Sequence, residues 1–198
     1  MLGRRERKKL QTRRALAEAA LRLFLERGYD AVTVADIADE ADTAVTTLFK
    51  HFPEGKESLV FEGGAELELG EAAEDRGAAL AAAIRDRADG ERVLDALEAF
   101  IGSRGPFARG RSARFRHQLE LIASTPALRA YARRKWIECE DVVVAAMAEA
   151  TGTSPDDVAL RAAARYVLET PNIVGSTDGA RDALHTVFDR LRAGWPEL

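Results

Sequence analysis

The chain has 198 residues, of which 46% are hydrophobic and 7% aromatic, and 29 basic against 33 acidic side chains give a net charge of −4. This length accommodates one or two compact domains. The single cysteine excludes an internal disulfide, and the lack of an apolar run of about 18 residues excludes a membrane-spanning helix. No secretory leader is recognised, so we expect a cytoplasmic protein. No strand-like alternation of apolar residues occurs, which predicts an all-α protein.

The first predicted element is a long amphipathic helix that ends at Gly28, where glycine suits a left-handed cap. Tyr29 follows and is expected to cover the side of the core. The apolar residues of the helix recur at spacings of three and four, which places them on one stripe. They are Leu16, Ala19, Ala20, Leu23 and Phe24.

A second, short helix is predicted to begin after Thr33. The threonine hydroxyl can accept a hydrogen bond from the first free amides, and Asp36, three residues later, completes a pattern that resembles a capping box. Ile37 and Ala41 lie four residues apart and are expected to face the core. Ala38 is small enough to let two helices approach closely.

A third helix is predicted to begin near Ala44 or Val45 and to end before Pro53. Leu48 and Phe52 lie four residues apart and should point inward, which leaves the other side chains outside. A short helix, a tight turn and a polar third helix form the pattern of a helix-turn-helix, whose second helix enters the DNA major groove.

These residues resemble the DNA-binding domain of the TetR (tetracycline repressor) family. The matching residues are Ala19-Ala20, Leu23-Phe24, Gly28-Tyr29, Thr33-Val34, Ile37-Ala38, Ala41, Thr47 to Pro53, Lys56 and Leu59. Three features depart from the family pattern. The turn reads Asp42-Thr43-Ala44 where the family has Gly-Val-Ser, Phe49 replaces the usual Tyr, and Glu54-Gly55 adds one residue before Lys56.

The resemblance and the chemistry of the side chains together indicate the residues that contact DNA. Hydroxyl, amine and imidazole groups on the third helix can reach base edges, whereas groups at helix starts suit phosphates. The predicted DNA-binding residues are Thr33, Thr46, Thr47, Phe49, Lys50, His51 and Lys56. Thr33 and Lys56 are the predicted phosphate contacts. An ordinary solvated helix face is the alternative interpretation.

The charge distribution supports a DNA-contacting end. Seven Lys or Arg and one Glu occur up to residue 14, which predicts a basic arm. Residues 1–56 hold eleven basic and nine acidic side chains, and residues 57–198 hold 18 and 24. A protein that meets phosphates at one end only would have this distribution. The alternative interpretation of the arm is a solvated, disordered tail.

The remainder of the chain reads as further helices. The predicted elements are a connecting helix over 57–88 with Gly63-Gly64, Gly70 and Gly77, a turn at Asp89-Gly90, a helix from Glu91 to Ile101, a loop from Gly102 to Gly110, a helix over 112–123, a helix from Thr125-Pro126 to about Thr151, a helix from Pro155 that meets Pro171, and a last helix from Thr177 or Asp178 to Gly194.

The resemblance implies a ligand pocket among these later helices. The predicted lining is Phe100, Phe107, Phe115, Gln118, Leu121, Tyr131 and Trp136. The alternative interpretation, a plain core position, is the more common one for each of these residue types. A mostly apolar lining suits a small apolar or aromatic compound.

Neither a metal site nor a cofactor is predicted. His117 with Glu120, and His185 with Asp182 and Asp189, read as solvated ion pairs that lack a complete ligand set. Cys139 reads as a packed small hydrophobe. The chain has no glycine-rich phosphate loop, nucleophile elbow or paired cysteines.

The combined prediction is an all-α protein with two domains. Residues 1–56 form the basic arm and three-helix helix-turn-helix domain, and residues 57–198 form a larger helical domain for ligand binding and dimerisation. The predicted function is that of a ligand-responsive transcriptional regulator, a repressor released from its DNA operator by a small-molecule inducer. The resemblance implies a homodimer through the last two helices, with no membrane contact. Two alternatives are a helical protein-interaction module and an enzyme with its site in the C-terminal domain.

Overall fold

A computed structural model describes residues 3–61, 73–109, 112–177, 179–196 and 198 of the chain. Within these residues the regular structure is helical, which confirms the all-α prediction. The helices are α1 Arg4–Arg27, α2 Val34–Glu40, α3 Val45–His51, α4 Lys56–Phe61, α5 Ala73–Arg85, α6 Val93–Gly102, α7 Ala113–Ser124, α8 Pro126–Ile137, α9 Glu140–Thr151, α10 Val158–Val174 and α11 Ala180–Gly194, with a 3₁₀ turn at Gly105–Phe107.

The chain divides into two compact units. The N-terminal unit comprises Met1–Gly70 and Arg111–Tyr131, and the C-terminal unit comprises Glu71–Gly110 and Ala132–Leu198. This division differs from the predicted boundary between residues 56 and 57. Residue 56 is the first residue of α4, whose Leu59 and Val60 are buried, so a boundary there would expose apolar surface to water.

The core of the N-terminal unit forms where α1 packs against α2, α4 and α7. The apolar stripe predicted on α1 is buried, as are Ile37, Leu48 and Phe52. The basic residues before Arg14 form the first turns of α1, so the predicted arm is helical from Arg4 onward. Their side chains are mostly exposed to solvent.

The C-terminal unit packs α5, α6, α9, α10 and α11 around one apolar core. Cys139 is buried in it, as predicted, and Gly77 of α5 lies close by. A Cβ at Gly77 would be 3.7 Å from the Cβ of Cys139, an ordinary van der Waals distance, so packing alone does not require glycine at this position. Gly63, Gly64 and Gly70 of the predicted connecting helix lie outside the described residues.

Several predicted helix boundaries were wrong. The helix predicted from Pro155 begins at Val158, where the Asp157 carboxylate accepts from the Leu160 amide and caps the helix. The helix from Pro126 stops at Ile137, where Cys139 enters the core, and α9 starts at Glu140. Conversely, α10 continues through Pro171 and ends at Val174. Pro171 and Val174 are both buried in the core, and this packing stabilises the last turn of the helix despite the proline. The last helix begins only at Ala180, after Gly179 in the left-handed region at φ 71°.

Candidate nucleic-acid interface

A capping box fixes the start of α2, as the sequence predicted. The Thr33 hydroxyl accepts from the Asp36 amide at 3.1 Å, and the Asp36 carboxylate accepts from the Thr33 amide at 2.7 Å. The hydrogen bonds from Thr33 lower the pKa of Asp36. The Thr33 hydroxyl also donates to the Asp36 carboxylate at 2.6 Å, so neither the hydroxyl nor the amide of Thr33 is left to donate to the phosphate predicted for this residue.

The turn between α2 and α3 depends on a left-handed residue. Asp42 has φ 49°, the conformation for which glycine is the usual residue. The Thr43 amide then donates to the Ala38 carbonyl at 2.9 Å and closes the turn. Ala44 occupies the N-cap of α3 and offers no side-chain bond to the first amides. The turn therefore adopts its geometry without the family's glycine and without a capping hydroxyl.

Substitutions at Asp42 test this turn. Asp42→Gly removes the steric cost of the left-handed conformation and should leave the protein as stable or more stable. Asp42→Val places a β-branched side chain there and should lower the free energy of unfolding by about 1–2 kcal/mol. Urea unfolding of the two variants measures the difference. Equal stability of the valine and glycine variants would show that Asp42 does not need this conformation.

The third helix presents a polar face to solvent above an apolar base. Leu48 and Phe52 are fully buried, as predicted. Thr46 and Lys50 are exposed, Phe49 is 44% exposed, and Thr47 is half-buried at the edge. Spacings of three and four put Thr46, Phe49 and Lys50 on one side of the helix. We call these three residues and Thr47 the reading face.

His51 departs from its predicted place on this face. Its side chain is only 9% exposed, and its Nδ1 atom has no hydrogen-bond partner. Burial lowers the pKa of the imidazole, and the charges of Arg13, Lys9 and Lys50 lower it further. The ring packs into the unit because the end of α3 docks against α1, where Arg13 bonds the His51 carbonyl.

Lys56 also departs from its predicted role as a phosphate contact. Its ammonium donates to the carbonyls of Tyr29, at 2.6 Å, and Val32, at 2.9 Å. It also lies 3.9 Å from the centre of the Tyr29 ring, a cation–π distance. Burial lowers the pKa of this amine. Through these bonds the Lys56 ammonium links the connection between α1 and α2 to the start of α4.

Arg13 has a structural role that was not predicted from the sequence. Its Nη1 donates to the carbonyl of His51 at 2.6 Å, and its guanidinium lies 4.5 Å from the centre of the Phe52 ring. Arg13 lies three positions before Leu16, so Arg13 extends the buried stripe of α1 by one turn. That periodicity was the signal that distinguished it from the solvated basic residues before it.

Family comparisons agree with this geometry. Residues 16–62 match the profile of the bacterial regulatory proteins of the tetR family, and residues 91–196 match the profile of the MftR C-terminal domain. The HTH-type transcriptional regulator TcmR of Streptomyces glaucescens is 31% identical over 161 residues, which cover 78% of this chain and 67% of TcmR. The chain belongs to the tetR family. It is a ligand-responsive, DNA-binding transcriptional regulator.

Two further proteins resemble this TetR-family regulator, one over about a third of the chain and one over most of it. The HTH-type transcriptional repressor KstR of Mycolicibacterium smegmatis is 37% identical over 68 residues, 34% of this chain and 33% of KstR. The structure of Salmonella enterica GusR superposes with a TM-score of 0.54 at 22% identity and covers 92% of this chain and 94% of GusR. That likeness supports the fold.

The residues predicted to line a ligand pocket are divided between the two units of the regulator. Phe115, Gln118, Leu121 and Tyr131 lie in the N-terminal unit, and Phe100, Phe107 and Trp136 lie in the C-terminal unit. All are buried except Trp136, which is half-buried. The structure therefore does not bring the seven together within one unit.

Among the residues predicted to line a ligand pocket, Gln118 has an unusual environment. Its side chain is fully buried on α7, and its Nε2 donates to the Val60 carbonyl at 2.6 Å. Its Oε1 has no hydrogen-bond partner. Phe115 and Leu121 lie one turn to either side of it, and both are buried. A buried acceptor without a donor costs free energy, so this amide marks a place where a donor is favoured.

No group of three or more potential metal-ligating side chains occurs among the described residues. His185 instead pairs with Glu98, at 2.9 Å from Nδ1 to Oε1, and with Asp189 at 3.5 Å. The hydrogen bond that His185 donates to the Glu98 carboxylate raises the pKa of His185. No helix in the described part of the chain is long and apolar enough to cross a membrane.

Proposed function

We propose that this regulator is a homodimeric repressor whose two helix-turn-helix units bind one double-stranded DNA operator until a small molecule releases them. The observation that carries the proposal is the reading face of α3, which is exposed above the buried Leu48 and Phe52. In helix-turn-helix proteins, the element that enters the major groove is a helix whose apolar side packs on the core and whose polar side faces outward.

Within this proposal, contacts to bases come from the reading face. The Thr46 and Thr47 hydroxyls and the Lys50 amine can bond to base edges, and the ring of Phe49 offers apolar contact to a thymine methyl. The exposed basic turns of α1 contact phosphates, which positions the unit without reading sequence. His51 and Lys56 support this surface from behind, since their polar groups face inward.

The proposed dimer surface lies on α10, one of the last two helices. Val158, Tyr166 and Ile173 are exposed there, at 83%, 56% and 62%, and their spacing of eight and seven places them on one side of the helix. The ring of Tyr166 contacts Trp195, just after α11. Leu184, Phe188 and Leu191 of α11 are buried in the core of their own chain, so α10 supplies the larger apolar contact.

A second copy is the partner that fits this surface. Helix-turn-helix proteins read two half-sites about one turn of DNA apart, roughly 34 Å, and a two-fold dimer supplies the two reading helices. An apolar stripe on one helix can pack against the same stripe of a second copy around that two-fold axis.

We propose a small apolar or aromatic inducer that carries a hydrogen-bond donor. The unpaired Oε1 of Gln118 supplies the acceptor, and Phe115 and Leu121 supply apolar neighbours. The inducer needs only a higher affinity for a conformer in which the two reading helices no longer match the operator spacing. Matched compounds such as phenol and anisole, with and without a donor, separate the hydrogen bond from apolar burial in a thermal-shift assay.

A gel shift with the DNA that flanks the protein's own gene tests the proposed function. We expect a specific complex that a scrambled duplex of equal length does not compete away, and that weakens steeply as salt rises from 50 to 200 mM. An enzyme or a pure protein-interaction module would form no sequence-specific complex with any duplex. Failure to bind any sequence at 50 mM salt would contradict the proposal.

A further inference from the structure

We infer that Arg13 of α1 is a positioning residue for sequence reading, which holds the C-terminal end of α3 in place and does not itself contact DNA. The inference deepens the proposed function and rests on it for the DNA measurements. The first observation is the bond from Arg13 Nη1 to the carbonyl of His51, the last residue of α3, at 2.6 Å. The last carbonyls of a helix have no partner within the helix, and a cation there also opposes the negative end of the helix dipole.

The second observation is the ring beneath the guanidinium. Arg13 lies 4.5 Å from the centre of the Phe52 ring, and Phe52 is fully buried directly after α3. A planar guanidinium can stack on a ring and donate hydrogen bonds in its own plane at the same time, which an ammonium cannot do. Arg13 therefore contacts both the last turn of α3 and the residue that anchors that turn in the core.

The third observation links this contact to the reading face. The helix α3 has only seven residues, and its N-cap Ala44 offers no side-chain bond to its first amides. A helix this short depends on tertiary contacts for its stability. Its C-terminal anchor therefore has a disproportionate effect on the direction of Lys50 and Phe49, which lie in the last turn beside His51. Loss of the anchor should loosen sequence discrimination before it abolishes attraction to DNA.

The DNA experiment compares Arg13→Met with Arg14→Met. Methionine retains an apolar side chain against Phe52 but removes the charge and the donor, and Arg14 is the neighbouring, exposed arginine of α1. The probes are a duplex selected from random DNA by the wild-type protein and a scrambled duplex of the same composition. We expect Arg13→Met to reduce the ratio of the two affinities about tenfold or more without changing the salt dependence of binding. Arg14→Met should leave the ratio unchanged.

The opposite pattern would overturn the inference. If Arg13 contacts a phosphate, Arg13→Met should weaken both duplexes equally and lower the salt slope by about one, as expected for one lost phosphate contact. If Arg13→Met does not fold by circular dichroism, Arg13→Lys takes its place. We then expect a smaller loss of discrimination in the same direction, and wild-type discrimination in that folded variant would contradict the inference.

A measurement without DNA separates this inference from the proposed function. His51 is buried beside Arg13, and the cations that face it are Arg13, Lys9 and Lys50. In an NMR titration of the whole protein we expect the His51 pKa to lie below its ordinary value and to rise in Arg13→Met but not in Arg14→Met. An unchanged His51 pKa in a folded Arg13→Met protein would show that Arg13 does not dock on α3. Failure of the wild type to select any DNA would instead contradict the proposed function alone.

Discussion

Ile173→Asp should convert the dimer to monomers and lower operator affinity by about 10²- to 10⁴-fold, the gain that a second linked binding site typically provides. Ile173 is exposed on α10, so the chain's own core does not need it. A carboxylate in an apolar interface loses its hydration without gaining a partner, and the dimer should therefore dissociate.

Sedimentation at micromolar concentration measures the assembly, and a gel shift measures the affinity. Val142→Asp is the matched control, since Val142 is also an exposed apolar residue, at 46%, but lies on α9. The control should sediment and bind as the wild type does. A wild-type protein that sediments as a monomer would contradict the proposed dimer. An Ile173→Asp protein that stays dimeric would show that the interface does not lie on α10.

Alanine substitutions on the reading face should change which operator the protein prefers. A group that reads a base edge typically contributes about 1–3 kcal/mol at one operator position, which corresponds to roughly 5- to 150-fold in affinity. We expect Lys50→Ala and Thr46→Ala each to relax the preference at one position of each half-site. Both residues are exposed, so the fold should be unaffected.

Selection of binding sites from random duplexes measures the preferences of these variants. Lys9→Ala is the matched control, because Lys9 is an exposed cation on α1 and is proposed to contact phosphate only. It should weaken binding to all sequences about equally and reduce the salt dependence. Should Lys50→Ala and Thr46→Ala both select the wild-type operator, α3 would not be the reading helix.

The local features of the helix-turn-helix could be predicted from the sequence because they depend on residues a few positions apart. The capping box at Thr33 and Asp36 spans three residues, and the inward side of α3 follows from Leu48 and Phe52, four residues apart. Such spacings determine which groups can meet, whatever the rest of the chain does.

The contacts of the basic residues could not be predicted in the same way. Arg13 bonds a carbonyl 38 residues along the chain, and Lys56 bonds carbonyls 27 and 24 residues before it. Whether a cation faces solvent or a helix end depends on how the helices dock, and composition shows only the charge. The same reason explains His51, whose burial depends on where α1 lies.

The division into units shows a similar limit. The helix α7 follows the segment Glu71–Gly110 of the C-terminal unit, yet it packs against α1 and its Gln118 bonds the Val60 carbonyl. A sequence pattern gives the buried side of a helix but not its partner, so a cut at residue 56 was the simplest prediction. Likewise, no glycine or proline in the sequence indicates the break between α8 and α9 at Cys139.

Binding-site selection with the wild-type protein, followed by footprinting of the selected duplex, shows whether α3 reads a DNA sequence. We expect one recurring sequence with two related half-sites whose centres lie about one helical turn, roughly 34 Å, apart, each protected in the major groove. A small donor-bearing aromatic compound that raises the thermal stability of the protein should also remove that protection. Recovery of no preferred sequence from the selection would contradict the claim that this chain reads DNA through α3.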